Sequence, residues 1–151
     1  MSEPGEYIRD EASGLFSEAF LRAVLPARVA ASRRGLHQLG LVMIAIEDGA
    51  DAEAAEVLTR TVRDSDLTFR LDDGLYALLL EETPVHGCAR TAERVREGMD
   101  VALPGARLWA GVACYPAHAF DAAEVRAAAD RALATARKER AGTVEVAPVA
   151  D

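Results

Sequence analysis

Apolar and polar positions alternate along this chain in two distinct rhythms. "SEAFLRAVLPARVAASRR" places Phe20, Leu21, Val24, Arg28 and Ala31 at helical spacing, with Ser17 as N-cap and Glu18 in the first turn. Pro26 is expected to bend this helix or break it briefly. "LGLVMIAIE" is an almost unbroken apolar run, the mark of a central strand buried on both faces. From Asp51 to about Arg63 a second helical stripe follows, through Ala54, Val57, Leu58 and Val62. A hairpin comes next, Leu67–Leu71 and Leu75–Glu81, around "DDG", where Gly74 can take a positive φ. Val85, Cys88, Ala92, Val95 and Met99 form the inward face of a helix from Pro84 to about Met99. "ARLWAGVACYP" reads as a strand stopped by Pro116. An Ala-rich helix capped by Asp121 follows, and "GTVEVAPV" closes as an edge strand. After the first helix the order is β-α-β-β-α-β-α-β. That order predicts an α/β (α+β) ferredoxin-like plait, a mostly antiparallel central sheet flanked by helices. One domain is expected, with its core over about 10–146 and loose ends at 1–7 and 148–151.

Composition narrows the class of function. The 151 residues suffice for one real core, and with half of them hydrophobic but only 5% aromatic it must be built from Ala, Val and Leu. A formal net charge of -8 argues against nucleic acid or an anionic membrane as partner. The longest apolar run, Leu39–Ile46, is too short to span a bilayer, and no leader is visible, so a cytoplasmic location is expected. Cys88 and Cys114 stand alone, without CxxC or a neighbouring His, so both read as small core residues rather than a zinc site or redox pair. His37, His86 and His118 are scattered and read as loop or surface residues.

Four segments in order resemble the GGDEF family of diguanylate cyclases. "DEASGLFSEAF" is similar to its opening D-x-L-T-G-L-x-N-R-R-x-F, and "FRLDDGLYALLLE" to its R-x-G-G-D-E-F strand–turn–strand. "LWAGVACYP" resembles S-I-G-V-A-x-x-P, and "AAADRALATARKERAG" resembles A-D-x-A-L-Y-x-A-K-x-x-G. The resemblance implies a fold that, in active members, binds one GTP per domain and makes cyclic di-GMP between two facing domains.

Laid on that family's signature, the turn has lost its chemistry. Its five positions are Asp72, Asp73, Gly74, Leu75 and Tyr76. The two aspartates stand where glycines let backbone approach the nucleotide, and their charge repels a triphosphate. Gly74 and Leu75 replace the family's two acids, of which the first binds metal. The other metal ligand, first Asp of D-x-D on the first strand, becomes Ala45, followed by Ile46 and Glu47. Phosphoryl transfer is mostly positioning and charge neutralisation by Mg²⁺. The guanine-binding segment is shortened, with Ala55 in place of an Asp, and the late Lys is Arg137. No catalysis, metal or cofactor is therefore expected. Asp72, Asp73 and Glu47 could in principle rebuild a metal site, but solvated turn acids are the simpler reading. Trp109, where the family has Ser, reads as core packing.

A second constellation keeps family spacing. The family's inhibitory site begins with R-x-x-D five residues before the turn, and here Arg63 and Asp66 stand there. The matching helix positions hold Arg90 and Arg94, i and i+4 on the face opposite the apolar stripe. Arg63 can address guanine O6 and N7, Asp66 can accept from guanine N–H groups, and two arginines can meet phosphates. The plainer alternative makes Arg63–Asp66 a surface ion pair and pairs Arg90 and Arg94 with Glu93 and Glu97. The expectation is a silent signalling domain that receives cyclic di-GMP, with an unidentified protein as further partner and a homodimer compatible with it. The alternative is an interaction module with no nucleotide, using Leu75 and Tyr76 as an exposed apolar patch. No nucleophile–base pair supports an enzyme with rebuilt chemistry.

Overall fold

The computed structural model describes residues 8–149. The expected loose ends at 1–7, and 150 and 151 at the other end, lie outside the described residues. The order of elements is β1 (Phe16–Ser17), α1 (Glu18–Gly35), β2 (Leu39–Glu47), α2 (Asp51–Thr61), β3 (Leu67–Arg70), β4 (Tyr76–Glu81), α3 (Val85–Ala102), β5 (Arg107–Tyr115), α4 (Ala122–Ala136) and β6 (Val144–Val146). Only β1, two residues paired parallel to β3, has no counterpart in the periodicity. Two residues carry no period to read.

One six-stranded sheet runs β1-β3-β4-β2-β5-β6. Pairs β3–β4, β4–β2 and β2–β5 are antiparallel, and the outer pairs β1–β3 and β5–β6 are parallel. The continuous apolar run is β2, at the centre, and its alternate residues face opposite layers. Leu39, Leu41, Met43 and Ala45 pack with α1 and α4, while Val42 and Ile44 pack with α2 and α3. This is the ferredoxin-like plait that the order of elements implies.

Helix α1 begins as the sequence asks, with the Ser17 hydroxyl accepting the Phe20 N–H at 3.2 Å. It runs through Pro26 without a break. Pro26 is exposed, so the Arg22 carbonyl it leaves without an N–H can be taken by water. The buried stripe is Leu21, Leu25, Val29 and Ser32, which shifts the inward face away from the expected Arg28 and Ala31. The helix ends at Leu36, which has left-handed backbone angles (φ 58, ψ 38). Helix α4 is capped by Asp121, whose Oδ1 accepts the Glu124 N–H at 2.8 Å.

Candidate functional site

The hairpin tip is built by its own backbone. Gly74 N–H donates to the Leu71 carbonyl at 3.0 Å, and Leu71 N–H to the Leu75 carbonyl at 2.8 Å. Gly74 has φ 92, so the loop is a turn followed by a left-handed residue, the usual three-residue hairpin. Asp73 Oδ1 accepts the Leu75 N–H at 3.1 Å, a local aspartate turn. Asp72 N–H is taken by Glu18 Oε1 at 3.0 Å, and Glu18 Oε2 pairs with Arg22 at 3.1 Å. The tip is thereby tied to the first turn of α1. Glu47 instead pairs with Arg107 (3.0 Å) and Arg137 (3.8 Å), and no group of three or more acidic, His or Cys side chains fit to hold a metal occurs among the described residues.

Tyr76 does not form the exposed apolar patch expected of it. It is 2% exposed, and its hydroxyl donates to Asp51 Oδ1. Arg70 lies over its ring at 5.1 Å and pairs with the same carboxylate at 3.4 Å. Position 76 alternates into the face covered by α2, where a ring with a polar end finds a partner at the start of that helix. The Tyr76 hydroxyl, then Arg70, holds the Asp51 carboxyl below its ordinary value, and burial pushes the Tyr76 hydroxyl up. Leu75 is half-buried against the opposite layer.

On the central strands, Ala45 faces Trp109 directly across the β2–β5 ladder. Both belong to one core cluster, at 2% and 7% exposure. Arg107 and Arg137 flank the indole at 5.8 and 5.9 Å from its centroid, and its N–H donates to the Glu139 carbonyl at 3.1 Å. Glu47 thus holds two guanidinium groups around a packed aromatic ring.

Arg63 and Asp66 meet, in a way the sequence only half describes. The Asp66 side chain is 3% exposed. Its Oδ2 accepts the Arg63 backbone N–H at 3.0 Å and Arg63 Nε at 3.3 Å. Its Oδ1 accepts Arg63 Nη2 at 3.3 Å and the Glu81 N–H at 2.9 Å. Asp66 therefore spends its acceptors inside the protein, where the sequence had it accepting from a ligand. Arg63 Nη2 also donates to the Glu81 carbonyl and to Thr83 Oγ1, the latter at 2.7 Å, and the side chain as a whole stays 58% exposed. A depression of about 450 Å³ opens here, lined by Arg28, Arg63, Asp64, Ser65, Leu67, Glu81 and Glu82. Arg90 and Arg94 are exposed on the outer face of α3 and do not line it. They do not pair with Glu93 or Glu97; Glu93 is taken by Arg96 at 3.0 Å.

Several contacts here had no signal in the sequence. Glu18, Asp51, Glu81 and Thr83 bind groups far away in the chain. His118 is a loop residue, one of the two expected readings, but not a surface one: it lies in a turn at 8% exposure, and its Nδ1 accepts the Cys114 N–H at 2.9 Å. Burial lowers its pKa. Cys88 and Cys114 are core residues as read, yet they do not stand alone: their Sγ atoms lie 3.6 Å apart.

The family model described as "Diguanylate cyclase, GGDEF domain" matches residues 52–143. The chain belongs to the GGDEF family. The GGDEF domain of PA1120 (TpbB or YfiN) from Pseudomonas aeruginosa superimposes with a TM-score of 0.82 at 23% identity, over 92% of this chain and 94% of that one. The GGDEF domain of DgcB from Caulobacter crescentus, in complex with c-di-GMP, gives 0.83 at 16% identity, over 97% and 95%. Diguanylate cyclase SiaD from Pseudomonas aeruginosa, in complex with its activator SiaC, gives 0.82 at 22% identity, over 93% of this chain and 62% of that one. No curated protein matches the chain. No helix among the described residues is long and apolar enough to cross a membrane.

Proposed function

We propose that this GGDEF domain is catalytically silent and acts as a receptor for cyclic di-GMP through Arg63, aimed by Asp66, with Arg90 and Arg94 meeting phosphate. The observation that carries the reading is the buried Asp66 carboxylate, which fixes a guanidinium that stays more than half exposed. Arg63 Nη1 has no partner among the described residues, so donors remain for the O6 and N7 edge of a guanine. Asp66 acts as a positioning residue, or reaches guanine N–H groups only by giving up an internal donor. Arg90 and Arg94 have no ion-pair partner among the described residues and stand roughly 7 and 13 Å along α3 from its start, so they would meet a dinucleotide's phosphates rather than the guanine held by Arg63.

Silence is supported by what fills the catalytic positions. Ala45 offers a methyl group against Trp109, Gly74 and Leu75 offer no carboxylate, and Glu47 is committed to Arg107 and Arg137. Without those carboxylates, divalent metal has nothing to bridge to a triphosphate. Two assays test the two halves of the reading: incubation with GTP and Mg²⁺ or Mn²⁺, expected to give no cyclic di-GMP, and calorimetric titration with cyclic di-GMP, expected to give a saturable heat.

A further inference from the structure

Cys88 and Cys114 are both free and buried, one in the first turn of α3 and the other on β5. Their Sγ atoms lie 3.6 Å apart, which is van der Waals contact. The protein makes room for the pair. Residue 40, directly across the ladder from Cys114, is Gly, and a Cβ there would lie 2.1 Å from Cys88 Sγ. The proposed cyclic di-GMP site uses neither thiol.

We propose that Cys88 and Cys114 are a redox site: in the folded protein hydrogen peroxide converts the dithiol to an intramolecular disulfide that fastens the start of α3 to the central sheet. Closing the bond needs the sulfurs to approach from 3.6 Å to about 2.05 Å, a side-chain rotation with a small shift of the helix start. The first turn of α3 is the part able to move and to admit an oxidant. Its N-cap is Pro84, with no side-chain cap bond, no acidic residue sits in the turn, and Gly87 precedes Cys88. One of the two sulfurs first attacks a peroxide oxygen and the O–O bond breaks, giving a sulfenic acid and releasing one water. The other sulfur then attacks that sulfur, the S–O bond breaks, and a second water leaves with the thiol proton. Two thiols lose two electrons and the peroxide gains them. In the reduced form Cys88 Sγ–H donates to the Thr83 carbonyl at 3.7 Å, and Thr83 Oγ1 holds Arg63. The bond therefore forms directly beneath the segment that anchors Arg63.

The test treats folded wild-type protein with hydrogen peroxide and reads intact mass, a peptide map and the thermal midpoint. The expected result is loss of two hydrogens, a Cys88–Cys114 linked peptide, and a rise in midpoint that dithiothreitol reverses. Cys114→Ser and, separately, Cys88→Ala should show neither the mass loss nor the rise. If either variant fails to fold, the wild-type peptide map alone decides. Oxygen addition without a cross-link, disulfides between chains, an unchanged midpoint in the cross-linked protein, or two thiols that survive until urea unfolds the chain would each overturn the proposal.

Discussion

Asp66 binds Arg63 three times, once through the backbone N–H at 3.0 Å and twice through the guanidinium at 3.3 Å. The two residues carry unequal structural weight. Asp66 also holds the Glu81 N–H and is buried, whereas most of the Arg63 side chain faces water. Removing Asp66 leaves two backbone donors unsatisfied, at about 1–3 kcal/mol each. Asp66→Ala should therefore lower stability by roughly 2–6 kcal/mol, and Asp66→Asn by less, since an amide oxygen can keep one bond. Arg63→Ala strips the buried carboxylate of its cation but leaves both backbone N–H groups on it, so it should cost less than Asp66→Ala. Urea unfolding of the three variants reads the asymmetry, and equal losses would refute it.

Reinstating the missing carboxylates should not reinstate activity. Ala45 is 2% exposed and faces Trp109, so Ala45→Asp buries a charge against an indole. Gly74→Asp adds a side chain at φ 92. The double variant should lose more than about 2 kcal/mol of stability, mainly from the buried carboxylate. With GTP and Mg²⁺ or Mn²⁺ it should still form no product, which chromatography of the nucleotides would check.

Acid should weaken the fold in two stages of known sign. The folded pKa of His118 lies below its ordinary 6.5, so the unfolded chain takes up the proton more readily. That contribution is present above pH 6.5 and is lost as pH falls through the folded value. The Asp51 carboxyl, held down by Tyr76 and Arg70, contributes above its ordinary 3.8 and is lost on further acidification. His118→Asn, which can still accept the Cys114 N–H, should flatten the stability profile as pH falls below 6.5. Tyr76→Phe should shrink the loss below about pH 4. Thermal midpoints across pH measure both.

Leu36 is 92% exposed with φ 58, so a side chain that packs on little is held in backbone space that favours glycine. Leu36→Gly should raise stability by about 0.5–1 kcal/mol, seen as a higher urea midpoint with an unchanged slope.

The sequence makes the plait legible because its signals are local and periodic. The two-faced apolar run of β2, the Ser17 and Asp121 caps and the Gly74 turn each predict their element within a residue or two. Tyr76 and the cysteines show where local reading ends. The strand alternation that buries Tyr76 is set by which layer covers that face, and only the fold supplies Asp51 as partner for its hydroxyl. Cys88 and Cys114 are 26 residues apart and meet only because α3 packs on β5 beside Gly40. The Arg63–Asp66 spacing is visible in the chain, but the buried state of the carboxylate depends on Glu81, brought in by the hairpin.

The central claim is that Arg63 receives a guanine dinucleotide in a domain that does not make one. Calorimetric titration with cyclic di-GMP, of wild type and of the well-folded Arg63→Ala variant, addresses it most directly. Binding in the micromolar range corresponds to roughly 8 kcal/mol, and truncating a fully engaged charged partner costs about 2–5 kcal/mol. The account predicts saturable heat with wild type and affinity weakened more than about tenfold in Arg63→Ala, the loss that 1.4 kcal/mol would give. Arg90→Ala and Arg94→Ala should show smaller losses that shrink as salt rises. No heat from wild type at high micromolar cyclic di-GMP, or equal affinity in Arg63→Ala, would contradict it.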